Sequence, residues 1–155
     1  MRVFDLIGAD AVIPGLRATD KAQVMKALSA KAASDLAIEA PVVLAALNAR
    51  EEIGATSVGR GVAIPHARVA GLQRMFGLFA TLDQPVDFDA FDAEPVDLVF
   101  LLLSPRNGSK EYLAALACVS RTLSNHFVAE RLRFERSPRR LYNILVGDES
   151  EPVQA

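Results

Sequence analysis

The sequence is poor in the residues that most often announce a function. Its 155 residues include one cysteine and two histidines. A single cysteine cannot close an internal disulfide, which argues against a disulfide-stapled secreted module and for a reducing, cytoplasmic setting. His66, His126 and Cys118 show none of the close ligand spacings of a structural zinc site, so no metal or other cofactor is expected. Charge of one sign is also lacking. With 17 Lys plus Arg against 19 Asp plus Glu, the chain is no general clamp for nucleic acid, and any acidic partner must be met locally.

Long apolar runs are missing as well. The longest, LVFLLL at 98–103, falls far short of the roughly 20 residues that span a bilayer. Asp5 and Asp10 interrupt the opening MRVFDLIGADAVIPGLRA, so neither a signal peptide nor direct membrane insertion is expected. No GxxxxGK[ST] or GxGxxG pattern follows a strand, and the glycines of SVGRGVAIP are too few to cradle a nucleotide. A GxSxG nucleophile elbow is absent too. Without repeats or low-complexity tracts, solenoids and linkers drop out.

What the chain does have is apolar content, 51% of its residues, enough for one sizeable core. The reading is a single domain over 1–155, with 148–155 as a flexible tail. Thr19 and Asp20 are placed to cap a helix through KAQVMKALSAKAAS, where Val24 and Leu28 form the apolar stripe. A second helix runs through EAPVVLAALNAREEIG, with Pro41 in its first turn, Val43, Leu44 and Leu47 inward, Arg50 near its end and Gly54 as its stop. From residue 56 the pattern turns to strands: TSVGRGVAIPH, RMFGLFATLDQPVDF and EPVDLVFLLLSP. VDLVFLLL is apolar on both alternations and reads as an interior strand covered on both faces.

After a loop, SPRNGS, Ser109 is expected to cap the helix KEYLAALACVSRTLSN. Shorter helices over FVAERLRFER and SPRRLYNILVG follow, their arginines read as a solvated face. Cys118 reads as a small core residue, and His126 as structural or exposed beside a capping segment at Ser124 and Asn125. The fold class is therefore α/β, with a central mixed sheet flanked by helices.

His66 is the residue whose context asks for chemistry. It closes GVAIPH, where Pro65 restricts its own backbone and keeps Ile64 extended, so the imidazole leaves the sheet in a defined direction. A neutral imidazole with one nitrogen free and the other held by an acceptor can attack phosphorus. Such a transfer also needs donors for the phosphoryl oxygens. The neighbouring sequence offers Arg50, Thr56, Ser57, Arg60 and Arg68, and Arg50 is favoured because a guanidinium's planar fork matches phosphate.

These residues also carry a resemblance. AREEIGATSVGRGVAIPHARV is similar to the active-site block of the enzyme IIA proteins of the bacterial phosphotransferase system, fructose and mannitol class, and most resembles their nitrogen-regulatory branch. FDAFDAEPVDLVFLLLSP and KEYLAALACVSRTL continue the similarity over nearly the whole chain. The resemblance implies a mixed sheet flanked by helices, a phosphorylated His66 with Arg50 beside it, and Thr56 and Ser57 in a small-hydroxyl segment. It also implies a phosphorylated histidine carrier protein as donor, and regulated targets such as potassium-transport or sensor-kinase components. One position departs: where many members carry a second histidine in an HLxxL segment, this chain has Tyr112 in YLAAL. A phenol donates a hydrogen bond but does not titrate near neutrality. A sugar-specific subunit that passes phosphate to a transporter domain, and a binding-only regulator, stand as alternatives.

Overall fold

Asp20 begins the helical part of the chain as the sequence predicts. Its carboxylate accepts from the backbone N–H of Gln23 at 2.8 Å and caps α1, Lys21–Leu36. In this computed structural model, which describes residues 1–147, α2 follows over Ala40–Ile53, with a proline in its first turn and Gly54 just past its end. The expected tail at 148–155 lies outside the described residues.

Among the described residues, six strands form one mixed sheet: β1 (Ile7–Leu16), β2 (Ser57–Gly59), β3 (Val62–Ala63), β4 (His66–Arg68), β5 (Phe76–Val86) and β6 (Val96–Ser104). The order is β1-β5-β6-β3-β2, and β4 also pairs with β6. β6 runs antiparallel to β5 and parallel to β3 and β4. It is interior as expected: Leu98 through Leu103 are fully buried, which is why their segment is apolar on both alternations. α2 packs against β4 and α1 against β5, while α3 (Ser109–Ser124) and α4 (His126–Phe134) pack against β6, and α5 (Pro138–Val146) against β1.

Four features depart from the sequence reading. The sequence pattern marks no strand in the opening segment, yet β1 pairs in parallel with β5 at the edge of the sheet. Pro14 and Gly15 weaken the strand signal there, and an edge tolerates a residue without a ladder donor. The stretch 56–66 is also not one strand but a tight reversal between β2 and β3. Gly59, Arg60 and Gly61 all have positive φ, and a Cβ at Gly61 would come within 2.7 Å of the Arg133 guanidinium.

Ser109 does not cap α3. Gly108, in the left-handed region, is the N-cap, and Ser109 is the first helical residue. Finally, the arginines of α4 are not all a solvated face. Arg133 is ion-paired to Asp97 at 2.9 Å and to Glu130 at 3.1 Å, and donates to the carbonyl of Arg60 at 2.6 Å. It clamps the β2–β3 turn against β6, a long-range contact that local charge patterning does not reveal.

Candidate functional site

β3 and β4 keep one register against β6, with Val62 opposite Leu98, Ala63 opposite Val99, His66 opposite Leu102 and Arg68 opposite Ser104. They are one strand path interrupted at Ile64 and Pro65. The carbonyl of Pro65 still accepts from Leu102 N–H at 2.9 Å, so the path stays attached to β6 across the interruption. On its other side, Ile64 N–H donates to the carbonyl of Thr56 at 3.0 Å. In an extended residue N–H and C=O point the same way, so the Ile64 carbonyl faces this side too, beyond the end of the β2 pairing.

The His66 ring folds back onto that carbonyl, with Nδ1 2.6 Å from the Ile64 oxygen. A carbonyl only accepts, so in the neutral ring Nδ1 carries the proton and Nε2 keeps its lone pair. Burial pushes the pKa of the partly buried imidazole below the ordinary histidine value. The bond to Ile64 opposes this, the nearby Arg50 charge adds to it, and Glu51 works against it.

Arg50, in the last turn of α2, donates from Nη1 to the carbonyl of Gly54 at 2.9 Å. This satisfies a carbonyl left open by the helix end and places a cation at the negative pole of the helix. Arg50 is half-buried, and its charge acts on both His66 and Tyr112. Glu51, beside it, accepts from the hydroxyl of Thr56, from Thr56 N–H at 3.3 Å and from Lys21 Nζ at 2.7 Å. The Thr56 hydroxyl proton is thereby committed within the protein. The buried hydroxyl oxygen of Ser57, by contrast, has no hydrogen-bond partner among the described residues.

Tyr112, on the first turns of α3, is buried and meets His66 edge to face, with ring centroids 5.8 Å apart and planes at 66°. Burial raises its phenol pKa above the ordinary value, offset in part by Arg68 and then Arg50, so the hydroxyl stays protonated at neutral pH. His66 lies opposite Leu102 near the carboxyl end of β6, and Tyr112 follows that end by one loop, the side on which α/β sheets gather ligands. Arg60 is not brought to this end. It sits in the β2–β3 turn, with its N–H on Asp92 at 2.9 Å, on the order of 15 Å of extended chain before His66. His126 begins α4 behind the Asn125 cap, exposed and edge to face with Phe127. Among the described residues no group of histidine, cysteine and carboxylate side chains is arranged to hold a metal, and no helix is long and apolar enough to cross a membrane.

A sheet-end histidine with a fixed tautomer, flanked by a helix-end arginine and an aromatic ring, sits in the fold of a known class of proteins. Residues 5–147 match the family model of the phosphoenolpyruvate-dependent sugar phosphotransferase system, EIIA 2, and the chain belongs to that family. Within it, the chain is similar to the nitrogen regulatory protein of Bradyrhizobium diazoefficiens, 42% identical over 145 residues, 94% of this chain and 95% of the relative. It is also similar to the nitrogen regulatory protein of Escherichia coli K12, 37% identical over 136 residues, 87% of this chain and 83% of the relative. The crystal structure of the nitrogen regulatory protein IIA-Ntr from Neisseria meningitidis superposes with a TM-score of 0.87 at 30% identity, covering 92% of this chain and 98% of that one. The family resemblance read from the AREEIG to IPHARV block and from the long interior strand holds.

Sequence reasoning missed Glu51 as the acceptor that joins Lys21 to Thr56, and it left Arg68 as one donor among several. Glu51 stands next to Arg50 in the quoted motif. Only the proximity of α1 distinguishes it from a solvated carboxylate.

Proposed function

We propose that the protein is a cytoplasmic phosphocarrier that accepts a phosphoryl group on Nε2 of His66 from a phosphorylated histidine carrier protein, and that its phosphorylation state regulates target proteins. The observation that carries this reading is the 2.6 Å bond from His66 Nδ1 to the Ile64 carbonyl, which leaves the lone pair on Nε2 available. Nε2 attacks phosphorus, the P–N bond to the donor's imidazole breaks, and its electron pair returns to the donor nitrogen. Nδ1 keeps its proton on the Ile64 carbonyl, which stabilises the positive charge that spreads over the phosphorylated ring. Arg50 meets the phosphoryl oxygens with a charge that does not titrate, and Ser57 offers a hydroxyl whose bond a bound oxyanion would complete.

The regulatory role is supported by the nitrogen regulatory proteins to which the chain is similar over most of its length. Potassium-transport and sensor-kinase components are the targets expected of that branch. Tyr112, in place of an imidazole, favours one rival, a binding-only regulator. Incubation with a phosphorylated histidine carrier, followed by intact mass and site mapping under alkaline conditions, decides between them. A single added phosphate on His66 supports the carrier, and no acceptance by the wild type from competent donors supports the rival. Onward transfer to a transporter's next domain would instead identify a sugar-specific subunit.

A further inference from the structure

Arg68 lies two residues beyond His66 on β4. The period-two alternation of a strand puts both side chains on one face, about 7 Å apart along the chain, and Ala67 between them is buried on the other. The Arg68 guanidinium is held from two directions. Its Nη2 donates to Oγ of Ser109 at 3.1 Å, and its Cζ lies 4.9 Å from the centroid of the Tyr112 ring, the ring whose contact with His66 is described above. Arg68 forms no ion pair with any carboxylate among the described residues, and neither does Arg50. Two uncompensated guanidiniums therefore stand near one imidazole, and one of them is stacked and tethered in advance.

A cation ordered by stacking loses little conformational freedom when an anion arrives, and its remaining N–H groups form a planar fork that fits phosphate oxygens. Ser109 and Tyr112 use the guanidinium's Nη2 and one of its faces, leaving Nε and Nη1 for a ligand. We propose that Arg68 is a second phosphoryl-binding cation of the site, contacting the phosphoryl group on His66, with Tyr112 and Ser109 holding it in position. The inference rests on the reading of His66 as acceptor and extends it: Tyr112 serves the site by presenting a permanent charge rather than a titrating one.

The test compares the wild type with Arg68→Gln, Arg68→Lys and Tyr112→Leu. Inorganic phosphate is titrated against each protein while the His66 imidazole resonances are followed by NMR, and the rate of phosphorylation by a phosphorylated histidine carrier is measured in parallel. Arg68→Gln should weaken phosphate binding and slow acceptance by about tenfold to a hundredfold, the scale of one charge-assisted contact, with no change in melting temperature because Arg68 is exposed. Arg68→Lys should recover part of both. Tyr112→Leu should weaken phosphate binding while keeping the charge. Transfer to Arg68→Gln at the wild-type rate would overturn the inference and leave His66 as acceptor. No transfer to the wild type, with phosphate still shifting His66 in an Arg68-dependent way, would overturn the transfer reading alone. Absence of both overturns both.

Discussion

Lys21, the first residue of α1, holds the carboxylate of Glu51 near the end of α2 at 2.7 Å, and the same carboxylate receives the hydroxyl and N–H of Thr56. The connection continues through the Thr56 carbonyl to Ile64 N–H, and from the Ile64 carbonyl to His66 Nδ1. Two helices and two strand segments thus meet in one hydrogen-bonded path that ends at the candidate nucleophile.

Glu51→Ala should therefore weaken both fold and function. Removing the carboxylate leaves Lys21 without its main partner and the buried Thr56 hydroxyl without its acceptor, a loss of about 2 kcal/mol. For a domain of this size that corresponds to a fall of roughly 4–8 °C in melting temperature. The amide of Glu51→Gln can still accept from Thr56, so it should be milder in thermal unfolding. A Glu51→Ala protein melting with the wild type would show that the path carries no stability.

Arg50→Ala should slow phosphoryl acceptance by about 100-fold, the scale of one preorganised oxyanion donor, while costing only about 0.5 kcal/mol through loss of the helix-end contact. Single-turnover phosphorylation measured alongside chemical denaturation separates the two effects. Unchanged transfer in a folded variant would remove Arg50 from the site.

The pH dependence follows from His66. Its pKa in the folded protein lies below the ordinary value near 6.5, so the imidazole remains a neutral nucleophile at pH values where a free histidine is charged. Acceptance should persist below pH 6.5 and fall only further down. For stability, the unfolded chain binds the proton first on acidification. The contribution of His66 is fully present above about 6.5 and is lost as pH falls from there through the folded pKa. His66→Gln should flatten that decline in melting temperature between pH 7 and 5. An imidazole that titrates at or above 6.5 by NMR would contradict the assignment.

Tyr112→Phe should leave acceptance near the wild-type rate, because the ring that meets His66 and Arg68 is retained. Tyr112→His introduces a second titrating group and should add a step near neutrality to the pH–rate profile. A large loss in Tyr112→Phe, with the fold intact, would give the phenol hydroxyl a direct role.

The elements that could be read in advance are those whose residues carry their own instructions. Asp20 before an apolar stripe, Pro41 and Gly54 at the two ends of α2, and an apolar run too uniform for a half-exposed strand are local signals, and the structure realises each of them. His66 stands out as a candidate in the sequence because Pro65 and the surrounding block are contiguous in the chain. β1 was not legible, because an edge strand containing Pro14 and Gly15 owes its existence to the hydrogen bonds of β5 more than to its own propensity. Nor could the chain order alone show that Lys21 reaches Glu51, that Arg133 clamps a turn 73 residues away, or that Arg68 stacks on Tyr112 and bonds to Ser109 across 41 residues. Hydrogen bonds and ion pairs of that kind depend on distances of 3–4 Å, and such distances between remote residues exist only once the sheet register and helix packing have been set.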